Sequence, residues 1–178
     1  MRAFALVWLL ASTAHAAETL HAQVVHERGV YRVGFEIRVA APPARVRAAM
    51  TDYERLPRLS DTVKEARVLQ RGVGYARVRQ VVRACVLFFC KTVTRVLDVR
   101  ELQDGSIEAR MVPALSDFGP GGELWQLFAE QGRTRIRYAA VIAPSFYVPP
   151  LIGPPLLKRR ILSELETSSR RLEALART

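Results

Sequence analysis

From Tyr31 to Val39 every second residue is apolar, Tyr31, Val33, Phe35, Ile37 and Val39, with Arg32, Gly34, Glu36 and Arg38 between them. Such alternation sets one face of a strand against a core and the other in water. Ala41-Pro42-Pro43 then opens a stretch whose apolar positions Val46, Met50, Tyr53, Leu56 and Leu59 follow helical spacing. Pro57 lies inside it and predicts a division into two short helices, because proline lacks the amide hydrogen that a helix interior needs. Period two returns afterwards, and strands are expected near residues 63–71, 74–84, 91–102, 106–114, 122–130 and 134–143. The turns between them fall at Arg71-Gly72, Asp104-Gly105 and Gln131-Gly132. A loop from Pro144 to Pro155, with five prolines and one glycine, precedes a single long helix. Leu157, Ile161, Leu165, Ser168, Leu172 and Leu175 share one face of that helix, while Arg160/Glu164, Glu166/Arg170 and Glu173/Arg177 form pairs on other faces. The class is α+β: an antiparallel twisted sheet wrapped around a long C-terminal helix, with two short helices after the first strand. One helix over so large a sheet must bury its stripe there, and it leaves a space between the two layers.

Cys85 and Cys90 are the two cysteines of the chain. In one continuous strand they would stand about 16 Å apart, beyond the ~7 Å between alpha carbons that a disulfide tolerates. If Val86-Leu87-Phe88-Phe89 forms a four-residue hairpin loop, they face each other at its base, where the spacing fits. That register sets Val82 opposite Val93, Val78 opposite Leu97 and Ala76 opposite Val99 on an apolar face. Arg77 opposite Asp98 and Tyr75 opposite Arg100 then occupy the other face. Gln80 opposite Arg95 breaks the rule by standing on the apolar side. Arg95 there either recognises a ligand, snorkels to an edge, or pairs with a buried acid such as Glu123.

The Gln131-Gly132 turn pairs Trp125 with Tyr138 and Leu127 with Ile136. Together these ladders nominate Phe35, Ile37, Val78, Leu97, Met111, Trp125, Leu127, Ile136, Tyr138, Ile161 and Leu165 as the lining between sheet and helix, with Gln80 and Arg95 as its polar members. Leu87, Phe88 and Phe89 are a gate or a membrane contact, since apolar residues at a hairpin tip seek cover. Phe146 to Ile152 forms a second apolar edge.

The N-terminus and the charge decide the setting. Arg2, an apolar run from Ala3 to Ala11 and the small-x-small triplet Ala14-His15-Ala16 read as a signal peptide, residues 1–16, cut near Ala16/Ala17. The run is under half of the roughly 20 apolar residues a membrane span requires. Residues 17–178 then form one domain in a periplasmic or secreted setting, where disulfides persist. The formal charge is +10, and Lys64, Lys91 and Lys158 are the only lysines, so the basic excess is arginine. Scattered arginine does not define a nucleic-acid site; it allows peripheral contact with an anionic membrane, at ~1 kcal/mol per well-placed charge, or serves solubility alone.

These features resemble the helix-grip fold of the START-like superfamily of lipid-transfer proteins and polyketide cyclases. The local resemblance is to its coenzyme Q-binding branch. Asp52-Tyr53-Glu54-Arg55-Leu56-Pro57-Arg58-Leu59 followed by Val63-Lys64-Glu65-Ala66-Arg67-Val68-Leu69 is similar to that branch's turn into the second strand, and Thr92-Val93-Thr94-Arg95-Val96 to its arginine-bearing strand. The resemblance spans roughly residues 30 to 175. It implies binding of a hydrophobic molecule, a lipid, isoprenoid quinone or polyketide, with no cofactor. The export signal and the cysteine-flanked loop depart from the quinone-binding branch.

No catalytic constellation is identifiable. His15, His21 and His26 are the only histidines, and they yield neither a triad nor metal-ligand spacing. A cyclase or dehydratase needs only a shaped cavity with one or two polar groups, which Arg95, Gln80, Tyr138 and Glu123 supply; an interaction module acting through residues 86–89 is the third class. Ligand identity, pathway and oligomeric state are not encoded in any pattern found. Export predicts a mature N-terminus near Ala17 and no titratable thiol in unreduced protein; N-terminal sequencing that finds Met1, or two free thiols, defeats that assignment.

Overall fold

The computed structural model describes residues 17–86, 89–149 and 153–177. Its strands are β1 (Glu18–Glu27), β2 (Val30–Val39), β3 (Val63–Gly72), β4 (Tyr75–Val86), β5 (Phe89–Glu101), β6 (Ile107–Met111), β7 (Gly122–Glu130) and β8 (Arg133–Ile142). Helix α1 (Pro43–Thr51) and a 3-10 helix (Tyr53–Arg58) connect β2 to β3, and α2 (Gly153–Arg177) closes the described chain. The strands form one antiparallel sheet in the order β1-β2-β8-β7-β6-β5-β4-β3. Between β2 and β3 the chain crosses from one side of the sheet to its far edge. The concave surface holds α2, which touches α1, β1, β2 and β4. This is the START-like helix-grip fold.

The expected cross-strand pairs are present. Cys85 faces Cys90, Gln80 faces Arg95, Val78 faces Leu97 and Arg77 faces Asp98, while Trp125 faces Tyr138 and Leu127 faces Ile136. Cys85 and Cys90 are joined by a disulfide with alpha carbons 4.0 Å apart. The ladder continues past it, since Val86 pairs with Phe89, so the loop is shorter than the four residues Val86 to Phe89. Leu87 and Phe88, the core of the proposed gate, lie outside the described residues, as do the side chain of Phe89 and residues 150–152.

Several boundaries differ, each for a local reason. The first strand is β1, which precedes the alternating segment, so the two short helices follow the second strand. It is an edge strand, largely exposed, with a register shift between Thr19 and His21; it carries no sustained alternation to read. The β3–β4 turn sits at Val73-Gly74, where Gly74 takes a φ of +62°, instead of at Arg71-Gly72. The α1 stretch breaks at Asp52, and Pro57 lies within the 3-10 helix. β6 ends at Met111, and Pro113 opens a further 3-10 helix, Pro113–Leu115, where a strand to residue 114 was expected. Helix α2 begins at Gly153, so Pro154 and Pro155 occupy its first turn, where a missing amide hydrogen costs nothing.

Two buried clusters share the inner face. One joins β2 and β8 to α1 and the end of α2 through residues such as Phe35, Val46, Ile136 and Leu172. The other joins β4, β5 and β6 to the 3-10 helix through Tyr53, Val78, Leu97 and Ile107. Trp125 and Met50 pack against both. The buried stripe of α2 differs from the expected one: Ser169, Leu172, Glu173 and Ala176 are buried, and Leu175 is 36% exposed. Small side chains at 169 and 176 let the helix approach the sheet and α1 closely, whereas leucine at 175 would hold it away. Arg160/Glu164 and Glu173/Arg177 are formed, but Arg170 donates to Thr167 Oγ1 at 3.3 Å.

Glu173, 4% exposed, anchors this end. It accepts the Ala40 amide at 3.0 Å and pairs with Arg177 at 2.7 Å. Replacing it with alanine strands a half-buried amide and removes the Arg177 guanidinium's contact, so Glu173→Ala is expected to cost about 1–3 kcal/mol in urea denaturation. The exposed Glu166→Ala should stay within about 0.5 kcal/mol of the parent.

Candidate functional site

On the inner face β4, β5, β7 and β8 contribute the polar side chains Gln80, Arg95, Glu123 and Tyr138 among largely apolar neighbours. The β4–β5 register brings Gln80 beside Arg95, and Arg95 Nε donates to Gln80 Oε1 at 2.7 Å. Arg95 Nη1 donates to Glu123 Oε1 at 2.6 Å. β6 separates their strands but is only five residues long, and the arginine side chain is long enough to reach across the sheet near its end. The ion pair is therefore one of the outcomes foreseen for Arg95. It leaves room for another, because Arg95 Nη2 has no partner among the described residues.

Tyr138 is 6% exposed, and its ring lies against Trp125 with centroids 3.9 Å apart. Its hydroxyl also lacks a hydrogen-bond partner among the described residues. Burial raises its pKa well above the ordinary phenol value, the Glu123 charge adds to the rise, and Arg95 opposes it. The hydroxyl thus keeps its proton and stays a donor. Gln80 is 4% exposed, whereas the side chains of Arg95 and Glu123 keep 23% and 11% exposure while facing the helix. Solvent reaches the inner face at this point.

The remaining nominated residues separate into two groups. Phe35, Ile37, Val78, Leu97 and Ile136 are at most 2% exposed and are packed core. Met111, Trp125, Leu127, Ile161 and Leu165 are only partly buried, although all pack against the core clusters from the inside. The less covered apolar surface belongs to β6, β7 and the first half of α2, beside the polar group.

Contacts that the helical spacing did not reveal hold α2 to the segment before β3, through Glu164 near its middle and Arg171 in its last turns. Ser60 Oγ donates to Glu164 Oε1, and Arg171 pairs with Asp61 at 2.5 Å. In the sequence Glu164 reads as a solvent-facing partner of Arg160; its position one turn from Ile161 and beside Leu165 was the available signal. The following loop is also ordered by side chains. Phe146 meets Phe118 edge-on at 5.7 Å, and Lys91 Nζ lies 5.3 Å from the Phe146 ring centre. The proline-rich edge therefore stands next to the base of the disulfide hairpin. A shallow depression at Glu27, Arg28, Val30 and Arg32 lies at the β1–β2 turn, and it holds no chemistry. Among the described residues no cluster of histidine, cysteine and carboxylate side chains is arranged to hold a metal ion.

The chain belongs to the family described as polyketide cyclase / dehydrase and lipid transport, whose model matches residues 31–177. The match starts at Tyr31, so β1 lies outside it. Proteins of this family bind hydrophobic molecules or act on polyketides. Solved structures agree on the fold. The chain is similar to TTHA0849 from Thermus thermophilus at 20% identity and a TM-score of 0.68, over 82% of this chain and 96% of that one. It is similar to the Zhui aromatase/cyclase from Streptomyces sp. R1128 at 16% identity and 0.69, over 83% and 94%. It is also similar to a STAR-related lipid transfer protein from Xanthomonas axonopodis at 13% identity and 0.60, over 85% and 98%. No protein of curated function matches the chain.

Removing one member of the inner ion pair leaves the other charge poorly compensated. Arg95→Met is expected to lose about 2–4 kcal/mol of stability, with Arg95→Met combined with Glu123→Leu recovering most of it. Urea melts of the three proteins measure this, and a single mutant as stable as the parent shows that the pair is solvated and unimportant.

Proposed function

We propose that this protein binds and carries an apolar small molecule between its sheet and α2, an elongated lipid, isoprenoid quinone or polyketide-like compound. The observation that carries this reading is the uneven cover of the inner face. Met111, Trp125 and Leu127 on the sheet and Ile161 and Leu165 on α2 pack against the inner clusters yet remain partly exposed, whereas Phe35, Ile37, Val78, Leu97 and Ile136 on the same face are at most 2% exposed. Burying such surface in a ligand is worth roughly 25 cal/mol per Å². The family's description, which includes lipid transport, supports the same reading. Carriage in the periplasm or outside the cell, after removal of residues 1–16, accords with the disulfide and with the N-terminal pattern. Contact of the 86–89 tip with a membrane belongs to this proposal, because Phe146 and Phe118 bring further apolar surface near Lys91 at the base of the same hairpin.

A cyclase or aromatase is the second reading, and the Gln80–Arg95–Glu123–Tyr138 group favours it by supplying donors and a carboxylate on the inner face. Native mass spectrometry of protein purified from its own compartment, followed by extraction, decides. A bound apolar compound recovered unchanged after incubation supports carriage. Conversion that Arg95→Ala abolishes supports a cyclase, and purification with no apolar compound, and none acquired from lipid extract, removes both.

A further inference from the structure

We infer that β1 is a self-pairing edge: two copies of the chain join antiparallel along it, Val24 against Val24, with His21 of each copy opposite the partner's Glu27, so that two eight-stranded sheets become one. The inference goes beyond carriage and does not rest on it.

A sheet edge offers unpaired amides and carbonyls to any other strand, and proteins that stay apart block it with charges, bulges or proline. The β3 edge is blocked in this way. It carries Lys64, Glu65, Arg67 and Arg71, and its ladder with β4 has two register shifts. The β1 edge is open. Between Glu18 and Glu27 it has no lysine, arginine, carboxylate or proline, its one irregularity lies between Thr19 and His21, and from His21 to Glu27 the ladder with β2 is regular. Among the described residues no strand lies outside it. β1 is also an addition to the family's sheet, since the family model begins at Tyr31 on β2.

The hairpin fixes which groups face outward. Arg28 and Gly29 both have positive φ, +47° and +81°, as in a two-residue turn whose flanking pair, here Glu27 and Val30, exchanges ladder hydrogen bonds. His21, Gln23, Val25 and Glu27 therefore bond to β2, and Ala22, Val24 and His26 direct N–H and C=O away from it. Two copies related by a two-fold axis can pair only outward residue with outward residue, so the axis must set a residue against its own copy. Centring on Val24 uses the whole regular stretch. Centring on Gln23 runs into the irregularity at Thr19, and centring on Val25 leaves Ala22 unpaired. The Val24 register also matches chemistry: Ala22 faces the partner's His26, and His21 faces the partner's Glu27 in a pair not bonded through the backbone, where side chains approach most closely and an imidazole suits a carboxylate.

Size-exclusion chromatography with light scattering, over a dilution series, should show a dimer that dissociates as it is diluted. Ala22→Pro deletes an outward amide and leaves the bonds to β2, a place where an edge strand tolerates proline; it should give a monomer. His21→Glu sets like charges opposite each other twice and should raise the dimer dissociation constant about tenfold, and adding Glu27→Lys should reverse that. If Ala22→Pro fails a thermal-melt check, the charge variants are read alone. A wild-type monomer at every concentration, bare or with a different protein on β1, overturns the inference. A dimer that the folded variants leave unchanged overturns it too, because that dimer uses another face, and a dimer lost with proline but indifferent to both charge variants overturns the register.

Discussion

The parity of the β4–β5 ladder governs the inner surface of this protein. A slip of one residue would exchange every side chain of one strand between faces, sending Val78 and Val82 to solvent and Arg77 and Arg79 toward the helix. The Cys85–Cys90 bridge stands in that ladder as a cross-strand pair and is compatible with only one register. Closing so short a loop contributes only about 2 kcal/mol by the chain-entropy argument, so its consequence is alignment more than stability. Once the register is set, Gln80 and Arg95 must share the inner face, and an arginine there needs an acid. Glu123 on β7 answers it.

Helix α2 is fastened unequally along its length, and this is what leaves an inner surface to use. Its final turns lie close to β2 and α1 because Ser169 and Ala176 are small, and Glu173 ties them to the Ala40 amide. It is also held from the β3 side by the contacts of Glu164 with Ser60 and of Arg171 with Asp61. Ile161 and Leu165, on the N-terminal side of the Ser169–Ala176 turns, pack against the core cluster without being sealed.

The sequence made legible whatever a strong period or a tight turn controls. The β4–β5 and β7–β8 pairings were readable because each hairpin couples an alternating pattern to a constrained end, a disulfide or the Gln131-Gly132 turn with φ values of +43° and +80°. From those ladders the neighbourhood of Gln80, Arg95, Trp125 and Tyr138 followed. β1 was not readable, since an edge strand exposed on most of its length has no need to alternate. Ser169 and Ala176 were missed because a stripe drawn through leucines ignores close approach by small residues. The Glu164 latch was missed because a glutamate four residues from an arginine looks like a surface pair, and only tertiary structure brings Ser60 to it.

The arginine excess resolves into two physically different populations. On the outer face arginines sit among carboxylates: Arg135 pairs with Glu36 at 2.8 Å and with Glu130 at 2.6 Å, and Arg38 joins Glu130 to Glu18 at 2.9 and 2.7 Å. Arg135 and Arg137 also cover the Phe128 ring. Exposed pairs of this kind contribute about 0–1 kcal/mol each and weaken with salt. They keep charge on the surface without directing any chemistry. Arg95 belongs to the second population: it is committed at two nitrogens, faces apolar surface, and is screened far less by water. A net charge of +10 therefore says little about what this protein recognises, because the arginine that stands on the inner face is balanced by Glu123 and bonded to Gln80, while the surface arginines are matched by their own carboxylates.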